Sequence, residues 1–314
     1  MRVVVTGGAG FIGSHIVDAL IDRGYEVAVI DDLSTGSRGN LNPGADFHEI
    51  DITNPDLDRL LEQIRPEVIC HQAAQVSVGR SQVAPLHDLN VNVAGSLRLL
   101  DFARRSGCRF VHASSAAVYG EPQNVPVNED QPTHPINNYG VSKLAFEHYL
   151  TAYAATYGVR YVVFRYANVY GPRQNTSGEA GVVAIFCEAA AKGAPVVIDG
   201  DGEQTRDFVF VKDVAEANTI AVASQATGIF NISTGIETDV NRLLETIALA
   251  FGKPVASKRG PVRPGDIRRS VLDTRRAADA LGWRAKVDLE AGIEATARYF
   301  MSHATSESSH RIGT

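Results

Sequence analysis

The chain has 314 residues, of which 44% are hydrophobic, and its formal net charge at pH 7 is −6. This length is enough to bury a large core, either in one domain or in two unequal ones. An acidic balance without a long basic block argues against nucleic acid and anionic membrane surfaces as partners, and no apolar stretch is long enough to cross a bilayer.

The chain opens with a predicted strand, a glycine-rich turn, a helix and a second strand. Arg2–Thr6 is a β-branched run that is typical of a buried parallel strand. Glycines dominate residues 7–13, and a helix-period pattern of apolar residues follows them. The second strand is predicted over Glu26–Ile30, and Asp31 closes it. This unit therefore carries an acid at the far end of its second strand.

The glycine-rich turn has the chemistry of a phosphate-binding loop. Gly10 leaves room for a pyrophosphate beside the backbone, and Gly13 lets the helix lie close to the strand. The free N–H groups of the first helical turn attract phosphate. Asp31 lies where a carboxylate accepts hydrogen bonds from the adenosine ribose, and it would repel a 2′-phosphate. The unit therefore predicts NAD as the cofactor in preference to NADP.

Predicted strands and helices continue to alternate through the first half of the chain. The strands are 46–50, 67–71, 109–113 and 160–165, and the helices are 56–64, about 85–105, and 139–157. Such alternation predicts an α/β fold with a doubly wound parallel sheet, which binds ligands at the carboxyl ends of its strands. The residues predicted at that rim are Gly7, Asp31, Asp51, Ile52, Gln72, Ala73, Ala74, Ser114, Ser115 and Asn168.

The second half of the chain is less regular. It has predicted helices at 181–191, 214–223 and 241–251, strands at 206–211 and 229–232, and two short helices around Trp283. From Ser302 onward the sequence is polar, which predicts a frayed tail.

Cysteine and histidine usage bounds the chemistry further. Cys70, Cys108 and Cys187 are odd in number, widely spaced and mostly in apolar surroundings, which predicts reduced core thiols in a cytoplasmic protein. The nine histidines form no HxxxH or Cys/His cluster, so no metal site is predicted.

A tyrosine and a lysine lie one turn apart on a predicted helix that follows the rim. Tyr139 and Lys143 share a helix face, so the ammonium lies beside the phenol. A free phenol has a pKa of ~10. We expect the lysine and the positive nicotinamide ring of NAD to lower that pKa, so that the phenolate takes a proton from a substrate hydroxyl while hydride leaves the same carbon.

Two serines end the strand that precedes this helix. Ser114 or Ser115 could hydrogen-bond the reacting oxygen and relay its proton, and for either one alone a turn-capping role is the alternative.

Several motifs of the chain together resemble one known family. They are TGGAGFIG, HQAA, SSxxVYG, YGVSK, RYANVYGPRQ, TRDFVFVKDV and RPGD. In combination they resemble the extended short-chain dehydrogenase/reductases, the NAD-dependent epimerase/dehydratase family, as far as about Tyr299. The resemblance implies a Rossmann domain over 1–167 with a return segment at about 207–232, a smaller substrate domain over 168–302 and a flexible tail at 303–314. It also implies tightly held NAD and a homodimer packed through the helices near 85–105 and 139–157.

The resemblance assigns site residues at matching positions. The catalytic residues are Ser115, Tyr139 and Lys143. The cofactor-binding residues are Gly7, Gly10, Phe11, Ile12, Gly13, Asp31, Asp32, Asp51, Ile52, Gln72, Ala73, Ala74, Tyr139, Lys143 and Tyr166. The substrate-binding residues are Ser115, Tyr139, Asn168, Val182, Arg206, Arg263, Asp266 and Ser270. Asp32 departs from the Asn that is commonest at its position, which adds a carboxylate near the ribose.

The activity implied by the resemblance is 4-epimerisation of a UDP-hexose, the interconversion of UDP-glucose and UDP-galactose. Arg206 and Arg263 would clamp the diphosphate and Asp266 would bind the uridine ribose, and guanidinium groups suit phosphate. For Arg263 a solvated surface arginine remains the alternative. In the family a small residue at the position of Ser270 leaves room for an N-acetyl group, unless Arg268 or Arg269 fills that space.

Neighbouring activities remain as alternatives. Dehydration is disfavoured, because the related dehydratases carry Asp-Glu where this chain has Ala116-Ala117. Asn168 and Asn175 favour a neutral hexose over a uronic acid, but the nearby Arg173 leaves a UDP-glucuronate 4-epimerase open. A sugar-nucleotide reductase is also open. A non-catalytic NAD sensor would not need the phenol–lysine pair.

Overall fold

The computed structural model describes residues 1–176, 181–262 and 267–310, and strands and helices alternate along most of it. The strands are β1 (Arg2–Thr6), β2 (Glu26–Asp31), β3 (Asp46–Glu49), β4 (Val68–His71), β5 (Arg109–Ser115), β6 (Tyr161–Tyr166), β7 (Asn168–Tyr170), β8 (Val196–Asp199), β9 (Thr205–Arg206), β10 (Phe208–Phe210), β11 (Gly228–Ile232), β12 (Thr238–Asp239) and β13 (Ser257–Gly260). The α-helices are α1 (Phe11–Ile21), α2 (Leu57–Ile64), α3 (Val78–Val83), α4 (Pro85–Leu89), α5 (Ser96–Ser106), α6 (Asn138–Tyr157), α7 (Val182–Lys192), α8 (Val211–Ala223), α9 (Val240–Ala250), α10 (Arg275–Leu281) and α11 (Leu289–His310).

Seven strands form one parallel sheet in the order β11-β6-β5-β4-β1-β2-β3. Strand β1 lies between β2 and β4, with Val3 aligned to Val27 on one side and to Val68 on the other. The chain reverses its direction of winding at this point, which is where open α/β sheets bind ligands. The predicted doubly wound parallel sheet is therefore confirmed.

Helices cover both faces of this sheet, because its strands are apolar on both sides. One face packs on α1 and α8, whose buried residues include Ile16, Leu20 and Ala217. The other face packs on α2, α5 and α6, and Phe146 lies there fully buried. The sheet is thus enclosed, while the carboxyl ends of its strands stay at one rim.

A second core lies among α7, α9 and α11, together with the short strands β7, β8 and β10. Strand β10 pairs with β7 outside the large sheet, whereas β11 joins the large sheet beside β6. The segment 207–232 therefore belongs only in part to the large sheet. The proposed division at residues 167 and 168 stays a prediction.

Several predicted elements differ in detail from the structure. The predicted helix at about 85–105 is divided, since a π-helical turn, Asn90–Gly95, joins α4 to α5. The predicted strand 206–211 is split into β9 and β10 at the buried Asp207, and α8 already begins at Val211.

The C-terminal helix is longer than the sequence analysis predicts. The second of the two short helices expected around Trp283 is the beginning of α11, which has 22 residues and extends into the segment predicted as a tail. It is helical because the buried residues Ile293, Ala297 and Phe300 recur at helical spacing, and Ile293 and Phe300 pack in the second core.

The three cysteines are free and buried, as predicted from their spacing and apolar surroundings. Within the part of the chain that the structure describes, none of the helices has the length and apolar character needed to cross a membrane.

Candidate active site

The glycine-rich turn joins β1 to α1 and is closely packed against the end of β4. Gly7 has a φ of +70°, and a Cβ there would lie 2.7 Å from the backbone nitrogen of Ala73. A Cβ on Gly13 would lie 2.0 Å from the carbonyl oxygen of Gly7. Only glycine fits at these two positions, so the helix approaches the strand as predicted.

The first turn of α1 offers backbone donors to an anion. The helix starts at Phe11 with Gly10 as its N-cap, and no side chain caps it. Its first turn contains no acidic residue. The N–H groups of Phe11, Ile12 and Gly13 precede any helical acceptor, so they are available to phosphate. The turn therefore fits the pyrophosphate of a dinucleotide.

Asp31 faces the glycine-rich turn from the end of β2. Its Oδ2 accepts a hydrogen bond from the backbone of Ala9 at 2.9 Å, and its Oδ1 accepts one from Leu33 at 2.8 Å. Burial raises the pKa of this carboxyl, and the two hydrogen bonds oppose that shift. Asp32 is exposed and its carboxylate accepts from Ser34 instead. The structure thus orients Asp31, and not Asp32, toward the turn.

The other predicted cofactor residues are distributed along the same rim. Ile52 is buried and lies against the position of Gly95 in the π-helical turn. The exposed Asp51 accepts from the backbone of Thr53 at 2.7 Å. Ala73 and Ala74 are half-buried beside the glycine-rich turn.

Gln72 and Tyr166 connect two strand ends of the rim. The Tyr166 hydroxyl donates to Gln72 Oε1 at 3.3 Å and accepts from Asn218 Nδ2 at 2.8 Å. Burial raises the pKa of Tyr166 far above its ordinary value. Its hydroxyl therefore stays protonated and holds the amide of Gln72 in place.

The predicted catalytic residues meet where β5 ends and α6 begins. Ser115 is the last residue of β5, and Tyr139 is in the first turn of α6. Asn137 caps this helix by accepting from the backbone of Gly140 at 2.8 Å, and the backbone N–H of Tyr139 donates to Ser81 Oγ at 3.1 Å. The Ser115 hydroxyl lies close enough to the Tyr139 phenol to lower the pKa of that phenol. The structure thus brings the two predicted hydroxyl groups together.

Lys143 lies behind this pair and not in contact with the phenol oxygen. Its Nζ donates to the carbonyl of Ala113 at 3.0 Å and lies 5.9 Å from the centre of the Tyr139 ring. Burial raises the pKa of Tyr139 to about 12, against the lowering effect of Ser115, and burial lowers the pKa of Lys143 to about 8. Burial thus dominates the pKa of Tyr139 in the chain without NAD, and the expected lowering by Lys143 together with the nicotinamide ring stays a prediction.

The two serines at the end of β5 have different surroundings. Ser114 is buried and donates to the carboxylate of Glu147, which also pairs with Arg165. Ser115 is half-buried at the rim and its Oγ accepts from the backbone of Ala117 at 3.2 Å. Only Ser115 is therefore placed beside Tyr139.

The sequence analysis missed a buried polar group next to these residues. It consists of Gln75, Asp88, Asn92 and Ser142, which are linked by hydrogen bonds behind the N-terminal part of α6. A signal was present, since Asp88, Asn92 and Ser96 recur every four residues in a helix that borders the rim.

The predicted substrate residues lie around the short strands of the second core. Asn168 is exposed, and its backbone N–H donates to the carbonyl of Asp207 at 2.9 Å. Arg206 Nη1 donates to the carbonyl oxygens of Thr205 and Ile267, both at 2.7 Å. Val182 is the first residue of α7. Ser270 is half-buried, and Arg263 and Asp266 lie outside the described residues.

Three arginines near these residues are held by ion pairs. Arg268 Nη1 lies 2.8 Å from Asp201, and Arg269 Nη2 lies 2.9 Å from Glu237. Arg173 Nη1 lies 2.8 Å from Asp18 of α1. The two arginines that could have filled the space beside Ser270 are thus engaged with acids elsewhere.

Comparisons with known proteins agree with this arrangement. Residues 3–233 match the model of the NAD dependent epimerase/dehydratase family. A UDP-glucose 4-epimerase from Mycolicibacterium smegmatis is 46% identical over 308 residues, which cover 96% of this chain and 98% of that protein.

Two solved structures share the fold over nearly the whole chain. A UDP-glucose 4-epimerase from Thermotoga maritima, solved with UDP-glucose, is 45% identical with a TM-score of 0.93, and the match covers 96% of this chain and 99% of that one. The UDP-glucose 4-epimerase from Thermus thermophilus, solved with NAD, is 46% identical with a TM-score of 0.91 and the same coverage. The chain belongs to the NAD dependent epimerase/dehydratase family, as its motifs predict, and its cofactor is NAD.

Proposed function

We propose that the protein is a UDP-glucose 4-epimerase that interconverts UDP-glucose and UDP-galactose. The observation that carries this proposal is the neighbouring pair of Tyr139 and Ser115, which lies at the same rim as the uncapped glycine-rich turn. That pair supplies acid–base chemistry at a hydroxyl, and the turn supplies a site for NAD next to it. The three relatives described above, each a UDP-glucose 4-epimerase by name, are 45–46% identical to the chain.

Tyr139 is the group that moves the proton of the sugar 4-hydroxyl. When bound, NAD supplies the nicotinamide that accepts hydride from C4 and later returns it. Tyr139 takes the hydroxyl proton during oxidation and gives it back after the keto sugar has turned its other face, while Ser115 hydrogen-bonds the same oxygen. Because burial raises the pKa of Tyr139, its phenolate depends on positive charge, which Lys143 and the oxidised ring provide.

The cofactor is held from one end of the rim to the other. The backbone N–H groups of the first turn of α1 would bind the pyrophosphate of NAD, and Asp31 would accept from its adenosine ribose. Ile52 would pack against the adenine of NAD, and Gln72, which is hydrogen-bonded to Tyr166, would line the cofactor site.

The substrate nucleotide is bound by the second core. Asn168 and Arg206 would contact the diphosphate, with Val182 beside the sugar nucleotide, and the roles expected of Arg263 and Asp266 fall on residues outside the described ranges. A diphosphate clamp of this kind lets the keto sugar rotate without leaving.

A neutral hexose suits the site better than a uronic acid. Arg173 is the cation that could have bound a carboxylate, and it is paired with Asp18. Ala116 and Ala117, at the end of β5, offer no acid for dehydration. The proposal therefore favours epimerisation of UDP-glucose over the glucuronate and dehydratase activities of related enzymes.

The enzyme acts as a homodimer in the cytoplasm, with neither nucleic acid nor a membrane as partner. Its net charge is −6, and three exposed apolar side chains, Val83, Leu86 and Leu89, lie on α3 and α4, close to the exposed Val141 of α6. A second copy of the chain would cover this face. Sedimentation should show a dimer, which Leu86→Lys dissociates and the equally exposed Leu249→Lys does not.

Product analysis on a panel of UDP-sugars tests the proposed substrate. UDP-glucose and UDP-galactose should each give the same equilibrium mixture of the two, and UDP-glucuronate should remain unchanged. Conversion of UDP-glucuronate at a rate similar to that of UDP-glucose would contradict the assignment of a neutral hexose.

A further inference from the structure

A buried polar face lies behind the proposed catalytic pair. Asp88, Asn92 and Ser96 recur every four residues along the helical stretch from α4 through the π-helical turn into α5, and each is at most 2% exposed. Ser96 Oγ donates to the carbonyl of Asn92 at 2.8 Å, which satisfies a backbone acceptor inside the π-helical turn. The stretch is therefore held in its irregular shape by its own polar side chains.

Asp88 accepts hydrogen bonds from two side-chain amides, whose orientations are set by backbone N–H groups. Asn92 Oδ1 accepts from the backbone N–H of Gln75 at 2.8 Å, so its Nδ2 must face the Oδ1 of Asp88 at 3.1 Å. Gln75 Oε1 likewise accepts from the backbone of Ser77 at 2.6 Å, so its Nε2 faces the same Asp88 oxygen at 2.7 Å. Because backbone N–H groups only donate, both amide orientations are determined.

The network reaches the catalytic helix between its two functional residues. Asn92 Nδ2 also contacts Ser142 Oγ at 3.1 Å, and Ser142 lies between Tyr139 and Lys143 on α6. Asp88 thus connects, through Asn92, to the turn of α6 that presents the phenol and the ammonium.

We propose that Asp88 is a positioning residue of the epimerase: its buried carboxylate holds Gln75 and Asn92 together against α6 and places a negative charge behind Tyr139 and Lys143. The inference rests on the proposed catalytic roles of Tyr139 and Lys143. It gives a role to Asp88, which has none in the function proposed above.

The charge of Asp88 acts on both members of the catalytic pair. Around Lys143 lie Asp88 from α4, Glu147 from α6, His71 from β4 and His112 from β5. Burial lowers the pKa of Lys143, and Asp88 is the first of the two carboxylates that oppose it.

Glu147 and the histidines differ from Asp88 in the charge they bring. Glu147 is neutralised by Arg165, and burial lowers the pKa of both histidines so that they stay uncharged, whereas Asp88 accepts hydrogen bonds from neutral amides. Asp88 also raises the pKa of Tyr139 beyond the effect of burial.

The variant Asp88→Asn isolates this charge, because it retains an Oδ1 acceptor for Gln75 and Asn92 at the same size. Loss of a negative charge lowers the pKa of Tyr139 and of Lys143 together. The acid and base limbs of the kcat–pH profile should therefore both move to lower pH, by about one unit for one charge at short range. NAD content and Tm should match those of Asp101→Asn, the same substitution on the solvent side of α5.

A profile of Asp88→Asn that superimposes on the wild type overturns the proposal, and so does a loss of activity without a shift. If Asp88→Asn does not fold, the variant Ser142→Ala tests the network instead. A kcat that is lowered about tenfold at unchanged NAD content supports the proposal, and an unchanged kcat overturns it. Tyr139→Phe separates the two proposals, since an active Tyr139→Phe means that the assigned base is wrong, whereas an inactive one leaves the Asp88 result to be judged by itself.

Discussion

Arg165 of β6 and Glu147 of α6 form a bidentate ion pair inside the protein. Glu147 lies one helical turn after Lys143 on α6. Arg165 Nη2 donates to Glu147 Oε2 at 2.6 Å and Nε donates to Oε1 at 3.1 Å, and the two side chains are 5% and 2% exposed. Ser114 donates to the same carboxylate, and the guanidinium lies over the ring of Tyr119. This cluster ties α6 to the ends of β5 and β6, so it fixes the helix that carries the catalytic pair.

Removal of the carboxylate should destabilise the protein strongly. In Glu147→Gln the buried guanidinium of Arg165 loses its charge partner, which we expect to cost ~3–5 kcal/mol in the free energy of unfolding. Urea denaturation measures this, and Glu188→Gln, which breaks the exposed pair with Lys192, should cost about 0.5 kcal/mol or less. Similar losses in the two variants would contradict a stabilising role of the buried cluster.

Tyr139→Phe should abolish epimerisation while the protein stays folded. The ring keeps its packing but loses the hydroxyl that is placed to move the proton of the 4-hydroxyl, so kcat should fall by about 10²–10⁴. The NAD content and Tm of Tyr139→Phe should stay near those of the wild type. The control Tyr157→Phe, at an exposed position at the other end of α6, should keep wild-type kcat, NAD content and Tm. Activity within about tenfold of wild type would show that another residue is the base.

The size of Ser270 predicts that UDP-N-acetylglucosamine is epimerised together with UDP-glucose. Arg268 and Arg269 pair with acids on the surface, so we expect neither of them to fill the space beside Ser270. Ser270→Tyr should lose the N-acetyl activity selectively, and Ser270→Ala should retain both activities. Rates on the two UDP-sugars measure this, and the idea fails if wild type does not turn over the N-acetylated sugar.

Two buried histidines predict how stability depends on pH. Burial lowers the pKa of His71 to about 3 and that of His112 well below its ordinary value, so both are neutral in the folded protein. In the unfolded chain they bind protons below pH ~6.5. The free energy of unfolding should therefore fall as the pH drops from about 6.5 toward 3, by up to ~1.4 kcal/mol per pH unit for each histidine.

Urea denaturation at pH 7, 6 and 5 measures this dependence. His112→Leu should make the pH dependence of the unfolding free energy less steep, because it removes one titrating group. The substitution breaks no hydrogen bond, since neither ring nitrogen of His112 has a partner in the described ranges. His134→Leu, at an exposed position, should leave the slope unchanged. A slope that His112→Leu does not alter would mean that His112 titrates normally.

Local sequence patterns predicted most of the fold and only part of the site. Gly7, Gly13 and Asp31 act within one short unit, so their spacing was enough to predict the turn and the acid. The sequence alone does not indicate which of Ser114 and Ser115 faces Tyr139. That depends on the contact of Ser114 with Glu147 of α6, which pairs with Arg165 of β6.

Packing between distant parts of the chain determines what the sequence analysis could not include. The pKa of Tyr139 depends on how completely the surrounding elements exclude water, which a pair of residues one turn apart does not encode. Asp88 likewise acquires its contacts only when α4 packs beside Gln75 and α6.

One time course tests the central claim that the chain epimerises through a transient oxidation with retained NAD. Protein purified without added cofactor is mixed with UDP-glucose, and both UDP-galactose and absorbance at 340 nm are followed. The account predicts that UDP-galactose forms to equilibrium at multiple turnovers while the absorbance stays flat. A strict need for added NAD, with absorbance rising in step with product, would contradict it and indicate a net dehydrogenase.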